Sequence, residues 1–418
     1  MTPAAPIDEL ELPPPALMAG LDADWPALSA YPTAERFVGA IVSDDVLGVL
    51  RRQRGGGMAA SGAAWGLRVV VPRREPRTLQ GLRDEAGTLV RALEGSPLVA
   101  RVHVDAALPE DDLAALVALL RAEFTLAGDA QVCLRVRASR CTPERLARVH
   151  EAGVHRLEIV ADGERAAGLG ARVAAARSAG FASIALELPD DACLAWVGAL
   201  AAAQRPDQIR LVSTPRAPTA VGHQLDAAVR RCAVLERLAS AGYRHIALRE
   251  FALATDALAV AARQGRLHLG AGGLVARPQG AILALGPGAE GRVGNVAYRN
   301  LEAPSAYHRA LDEGRLPVGG GLALGRDELA RQAVISGLLC QGRVDFEAID
   351  MSHLIAMRRH FAAEFALMAP LVRAGLVEID DEAIALTATG RWFAPVVAAV
   401  FDRELQRDVR RRRSVEAD

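Results

Sequence analysis

The sequence predicts an α/β fold: a partial (β/α) barrel of about six units, followed by a mostly helical, winged-helix-like C-terminal domain. Three observations carry this reading. Short β-branched or Leu-rich runs alternate with apolar patterns of period 3.6 from residue 67 to about residue 250. Helical patterns dominate beyond about residue 300 and end in a short hairpin signal. The 418 residues are enough for two or three domains with real cores.

Taken in order, residues 1–28 are acidic and Pro-rich and read as a loose arm. An amphipathic stretch from Ala34 to Arg52 reads as a helix, ended by Arg54-Gly55-Gly56-Gly57. The expected strands are Leu67–Val71, Leu98–Val104, Val132–Val136, Arg156–Val160, Ser183–Leu188, Gln208–Val212 and His245–Leu248. Between them, Glu110-Asp111-Asp112 suits a helix N-terminus and Thr142-Pro143-Glu144 caps the next helix. Gly153, Gly180 and Gly242 stand where helices should end. Farther on, Glu328–Leu339 and Leu354–Ala374 read as helices, and Leu376–Ile379 with Ile384–Thr387 as a hairpin around Asp380-Asp381. The expected domains are 1–60, 61–300 and 301–418.

Composition excludes several function classes. The chain contains no lysine, so all 49 basic residues are arginine. A pyridoxal-phosphate Schiff base, a P-loop and a protein-kinase site each need a lysine. A net charge of -1 speaks against a general nucleic-acid or membrane-surface binder. The five cysteines, Cys133, Cys141, Cys193, Cys232 and Cys340, are scattered and have no zinc-ligand spacing. No apolar run reaches the roughly 18 residues of a membrane span, and the expected location is cytoplasmic. Gly286 to Gly291 fits GxGxxG, but no helix pattern follows it, so a glycine-permitted turn is the default. The nine histidines form no metal-binding pattern, and no serine sits in a GxSxG elbow. Cys133 and Cys141, eight residues apart across a βα turn, read as small core residues. Arg410–Arg413 reads as a solvated helix end.

Three stretches nevertheless resemble one family. Tyr31-Pro32-Thr33-Ala34-Glu35-Arg36-Phe37 is close to a YPTAxxF signature. A second series runs from Gly242-Tyr243 through Phe251-Ala252 and Asp256-Ala257-Leu258 to Leu267-His268. A third includes Tyr298-Arg299-Asn300, Gly321-Leu322-Ala323-Leu324, Arg331, Leu339-Cys340, Gly375-Leu376-Val377 and Gly390-Arg391. Together they resemble the oxygen-independent coproporphyrinogen III oxidases over most of residues 29–408. The resemblance implies a radical S-adenosylmethionine fold, a role in haem and porphyrin synthesis, and a [4Fe–4S] cluster held by CxxxCxxC after the first strand.

This chain departs from that pattern where the chemistry should be. The cluster cysteines align with Arg74, Thr78 and Gly81. The family's glycine-rich segment is Asp105-Ala106-Ala107-Leu108-Pro109, and the strand of its cofactor-contacting glutamate reads Cys133-Leu134-Arg135-Val136-Arg137. The resemblance therefore implies an oxidoreductase family but no cofactor, metal or catalytic residue here. Expected ligand contacts are Tyr31, Arg68, Arg135, Arg137 and Arg331, with a tetrapyrrole or an active paralogue as the partner. The alternatives are an active oxidase with an atypical cluster site and a winged-helix nucleic-acid-binding regulator.

Overall fold

The computed structural model describes residues 31–33, 36–53, 64–163, 166–189, 196–212 and 232–407. Six strands follow one another in parallel: β1 (Trp65–Val71), β2 (Leu98–Ala106), β3 (Thr125–Arg137), β4 (Arg156–Val160), β5 (Ser183–Pro189) and β6 (Gln208–Val212). A helical segment follows each one, giving the six expected units. The helix-facing residues of β1, Leu67, Val69 and Val71, are at most 1% exposed, and they meet Leu82, Ala86 and Leu89 in one core. Burying each such leucine or valine contributes about 1.5–3 kcal/mol. Thr142 caps Pro143–Glu151 by accepting from the Arg145 backbone N–H at 3.3 Å. Gly153, Gly180 and Gly242 follow helices at φ of +96°, +96° and +89°.

The expected seventh strand, His245–Leu248, opens no further βα unit. β7 (Tyr243–Ala247) and β8 (Glu250–Leu253) form an antiparallel hairpin, which joins β6 through β8. Leu248 at φ +54° turns the chain back on itself, so the β-branched pattern reappears without a crossover helix. A small hairpin follows, of β9 (His268–Gly270) and β10 (Gly273–Val275). β11 (Ile282–Leu285) then pairs parallel with the free side of β1. From there β12 (Glu290–Val293), β13 (Val296–Asn300) and β14 (Val318–Ala323) extend the sheet antiparallel to twelve strands. The GxGxxG segment is thus the β11–β12 turn. A Cβ on Gly286, at φ +94°, would overlap the Val70 carbonyl oxygen, so the glycine permits close packing on β1.

Two expected helices change. The first begins at Ser43 and not at Ala34, because residues 36–42 are held by the sheet: Val38 exchanges backbone hydrogen bonds with Gly321 at 3.1 and 2.9 Å. The expected helix from Leu354 to Ala374 is broken. Leu354 ends Phe346–His353 at φ +53°, and the Asp350 carboxylate takes the Met357 N–H at 2.6 Å, starting Met357–His360 and then Ala362–Arg373. The hairpin lies where expected, as Val377–Ile379 and Ala383–Leu386, with Arg343–Asp345 as its third strand. Residues 1–30, Ala34, Glu35, Arg54–Gly57 and Arg410–Arg413 lie outside the described residues. No described helix is long and apolar enough to cross a membrane.

One buried carboxyl joins three distant elements. Glu85, 1% exposed on helix Thr78–Leu93, accepts from the Gly286 N–H at 2.8 Å, Asn300 Nδ2 at 2.6 Å and the Tyr307 hydroxyl at 2.6 Å. Burial pushes its pKa up to about 7 against the pull of these donors. Since the folded pKa exceeds the ordinary 4.5, this group's contribution is complete below pH 4.5 and is lost as pH rises toward 7. Urea unfolding measured across that window should therefore show wild-type stability falling with pH more steeply than that of Glu85→Gln.

Candidate functional site

Side chains at alternate positions of a strand face opposite sides of the sheet, and along β2–β6 one set is polar. Parallel register places Arg68, His103, Cys133 and Arg156 side by side, with Asp105, Arg135 and Glu158 in the next row. Glu187 pairs with Arg210, and Arg210 with Glu250 across the antiparallel step. Several of the charges on this face are matched across the strands. Arg135 donates to Asp105 at 3.0 Å and to Glu187 at 2.6 Å. Arg210 donates to Glu250 at 2.9 Å and lies 3.7 Å from both Glu158 and Glu187.

Glu158 is the node. His103 Nε2 stands 3.3 Å from one of its oxygens, and the Cys133 thiol donates to the other at 3.5 Å. Burial works to raise the Glu158 pKa, but the His103 hydrogen bond and the neighbouring charges of Arg210 and Arg101 outweigh it and hold the carboxyl well below its usual range. Burial, and then Glu158, push the Cys133 thiol up. The candidate donor atoms of His103, Cys133 and Glu158 lie within 4.8 Å of one another, a donor set zinc accepts. Arg101, Arg156 and Arg210 crowd this set with positive charge, and the carboxylate is already ion-paired. These three residues hold the barrel interior together. His103, Glu158, Glu187, Arg210 and Glu250 were not anticipated as site residues. The signal was present in the alternating polar letters of RVHVD, CLRVR, LELP and QIRLV.

The positions aligned with the family's cluster cysteines do not fit a cluster. Arg74 is exposed and pairs with Asp112. Thr78 opens helix Thr78–Leu93 and accepts from the Glu75 N–H at 2.9 Å. Gly81 is buried in that helix, where a Cβ would stand 2.8 Å from the His308 ring. The segment has no thiolate to offer and is packed as a helix start.

The expected ligand residues separate into two groups. Tyr31 and Arg68 line a cavity of about 670 Å³ between the sheet and the C-terminal domain. Arg292, which was not anticipated, lines it too. Arg135 belongs to the barrel network, and Arg137, one strand period on, is exposed. Arg331 is a structural clasp: 6% exposed, it donates to Asp327 at 2.7 Å, Glu364 at 2.8 Å and the Phe401 carbonyl at 3.1 Å. Nearby, Arg36 meets Asp402 at 2.6 Å and Gln332 donates to the Tyr31 carbonyl at 2.6 Å, docking the described residues 31–33 and 36–38 on the C-terminal domain. On the barrel side, His245 stacks on Trp392 at 4.1 Å, and burial lowers its pKa to about 4.

A mainly parallel sheet, with a helical segment after each of its first six strands, is joined to a helical module that carries a three-stranded sheet. The coproporphyrinogen III oxidase HemN of Escherichia coli, a radical SAM enzyme, superimposes with a TM-score of 0.78 at 22% identity, covering 91% of this chain and 99% of that one. Residues 324–393 match the HemN C-terminal domain family. The oxygen-independent coproporphyrinogen III oxidases of Salmonella typhimurium and Escherichia coli are each 32% identical over 173 residues, and that of Pseudomonas aeruginosa is 32% identical over 170. The Salmonella and E. coli alignments span 41% of this chain but 38% of those proteins' length. The chain thus shares the fold of HemN, carries a match to the HemN C-terminal domain, and spans well under half the length of the curated oxidases it resembles.

The interior network has a measurable consequence. Replacing Arg210 by Met strands Glu250 and removes a positive neighbour from Glu158 and Glu187. The expected loss in a urea titration is about 3 kcal/mol or more, the usual range for breaking one side of a buried ion pair.

Proposed function

We propose that the chain is a catalytically silent member of this family, a scaffold of porphyrin metabolism that has lost radical chemistry and kept ligand recognition. One observation carries the reading: Arg74, Thr78 and Gly81, the positions that align with the family's three thiolates, carry no sulfur, and the segment is packed into a helix start. An iron–sulfur cluster needs soft anionic sulfur ligands close together, and none of these side chains supplies one. Among the described cysteines, Cys133 is enclosed beside Glu158, and Cys141 is buried with its thiol directed at the Arg137 carbonyl. Neither stands in a group that could replace the lost motif. Charge pairing within the barrel points the same way, since Arg135 binds Asp105 and Glu187 across the concave face.

Retained recognition is supported by the parts that persist. Residues 31–33 and 36–38 are tied to the C-terminal domain by Arg36–Asp402 and Gln332–Tyr31, and Tyr31, Pro32 and Phe37 help to enclose the 670 Å³ cavity. A tetrapyrrole is the proposed ligand, with an active homologue of the family as the alternative partner. The active-oxidase reading would require a cluster held by unexpected residues.

Iron and acid-labile sulfide, measured per chain after anaerobic reconstitution, separate the two. The expected result is close to zero of each; about four of each would establish a cluster and overturn the reading.

A further inference from the structure

Arg68 and Arg292 share a cavity, and neither side chain has an ion pair or a hydrogen bond to any described residue. Arg68 lies on β1, and its Nε is buried without a hydrogen-bond partner. Arg292 lies on β12, directly opposite Ile282, which is itself opposite Gly66. Gly66 and Arg68 are two residues apart on β1, so both guanidinium side chains rise from the same face of the sheet. No ion pair or hydrogen bond joins Arg292 to any described residue, and burial depresses its pKa. Arg101 and Arg391 also lack a carboxylate but are satisfied by neutral oxygens, and other arginines are ion-paired. Arg135, Arg210 and Arg331 each meet a carboxylate within 3.0 Å. Of the acids that line the same cavity, Asp345 is paired with Arg343, also on its wall, at 2.7 Å, and Glu290 is exposed.

We infer that this cavity is a binding site for an organic anion bearing two acidic groups on an apolar body, with Arg68 and Arg292 each taking one acidic group. Arginine is charged at every accessible pH, and an enclosed guanidinium without a partner is destabilising until an anion arrives. A volume of 670 Å³ suits a small-molecule ligand, and Leu267, Leu269, Ile282, Val344 and Ile349 supply apolar wall. Gln279 and Ser336 add polar contacts. The position is as informative as the chemistry. No lining residue comes from β2–β6, and the cavity reaches the amino end of β11 through Pro278, Gln279 and Ile282. Barrel enzymes work at the carboxyl ends of their strands. This site therefore lies apart from the mouth at which Arg74 and Thr78 stand, and it needs no chemistry there.

The inference draws on the proposed function only for the identity of the anion as a tetrapyrrole; the requirement for two acidic groups is independent of it. The test is thermal melting and binding titration of the full chain, of Arg292→Met and of Arg68→Met. The probes are inorganic phosphate, succinate, coproporphyrin III and the tetramethyl ester of that porphyrin. Without ligand, Arg292→Met should melt higher than wild type, by about 2 °C or more, because it removes a buried unmatched charge. An arginine that merely holds the fold together would give the opposite sign. Coproporphyrin should raise the wild-type melting temperature while the ester does not, and each variant should bind the acid at least tenfold more weakly. If succinate or phosphate stabilises wild type but not the variants while the porphyrin does nothing, the anion site stands and the tetrapyrrole reading falls. If the porphyrin binds wild type and both variants equally, the site is overturned and the tetrapyrrole reading survives. If none of the three anions shifts wild type, the site is overturned. Should Arg292→Met fail to fold, Arg68→Met carries the same comparison.

Discussion

Charges enclosed by a curved sheet have to be matched, and the matching at Glu158 governs much of what surrounds it. Its carboxylate takes His103 and Cys133 and feels Arg210, so β2, β3, β4 and β6 converge on one group. The β9–β10 hairpin is fitted to this node. The Ala271 carbonyl accepts from Arg101 at 3.0 Å, and a side chain on Gly272 would overlap the His103 ring. Hydrophobic contacts between strands and outer helices would tolerate a shift of register of two residues on the apolar side. The inner face would not, because such a shift would set arginine against arginine.

Much of this architecture was legible because its cause is local. Strand positions followed from runs of Val, Leu and Ile, and the Thr142 cap and the helix-ending glycines followed from their own chemistry. What failed to read was also physical. A turn at Leu248 sends β7 back as a hairpin, and another left-handed leucine, Leu354, splits a helix whose apolar pattern runs straight through it. Leucine carries no turn signal, so periodicity gave no warning at either place. The candidate site was half visible. Tyr31 and Arg68 could be named from the family resemblance, but Arg292 sits in a four-residue strand following a glycine-rich turn and looked like part of a loop. Whether an arginine is matched depends on residues 30 to 52 positions away, as with Arg135, Asp105 and Glu187. No local pattern encodes that.

The family-model match falls in residues 324–393, and the described residues 31–33 and 36–38 dock on the C-terminal part of the chain. Helix Thr78–Leu93 is one of the joints of the fold: Glu85 fastens it to Gly286, Asn300 and Tyr307, and Gly81 lets it approach the His308 ring.

The absence of lysine has a consequence for the whole set of ion pairs. Every cation in the barrel and at the domain contacts is either a guanidinium or an imidazole. Guanidinium groups keep their proton far into alkali, and the carboxylates opposite them are ionised throughout that range. Burial delays the other alkaline titrations too, moving the Tyr31 hydroxyl and the Cys340 thiol to about 12. The tolerance of the fold is therefore lopsided: strong base finds little to neutralise inside it, whereas acid reaches first the carboxylates on which the arginines depend.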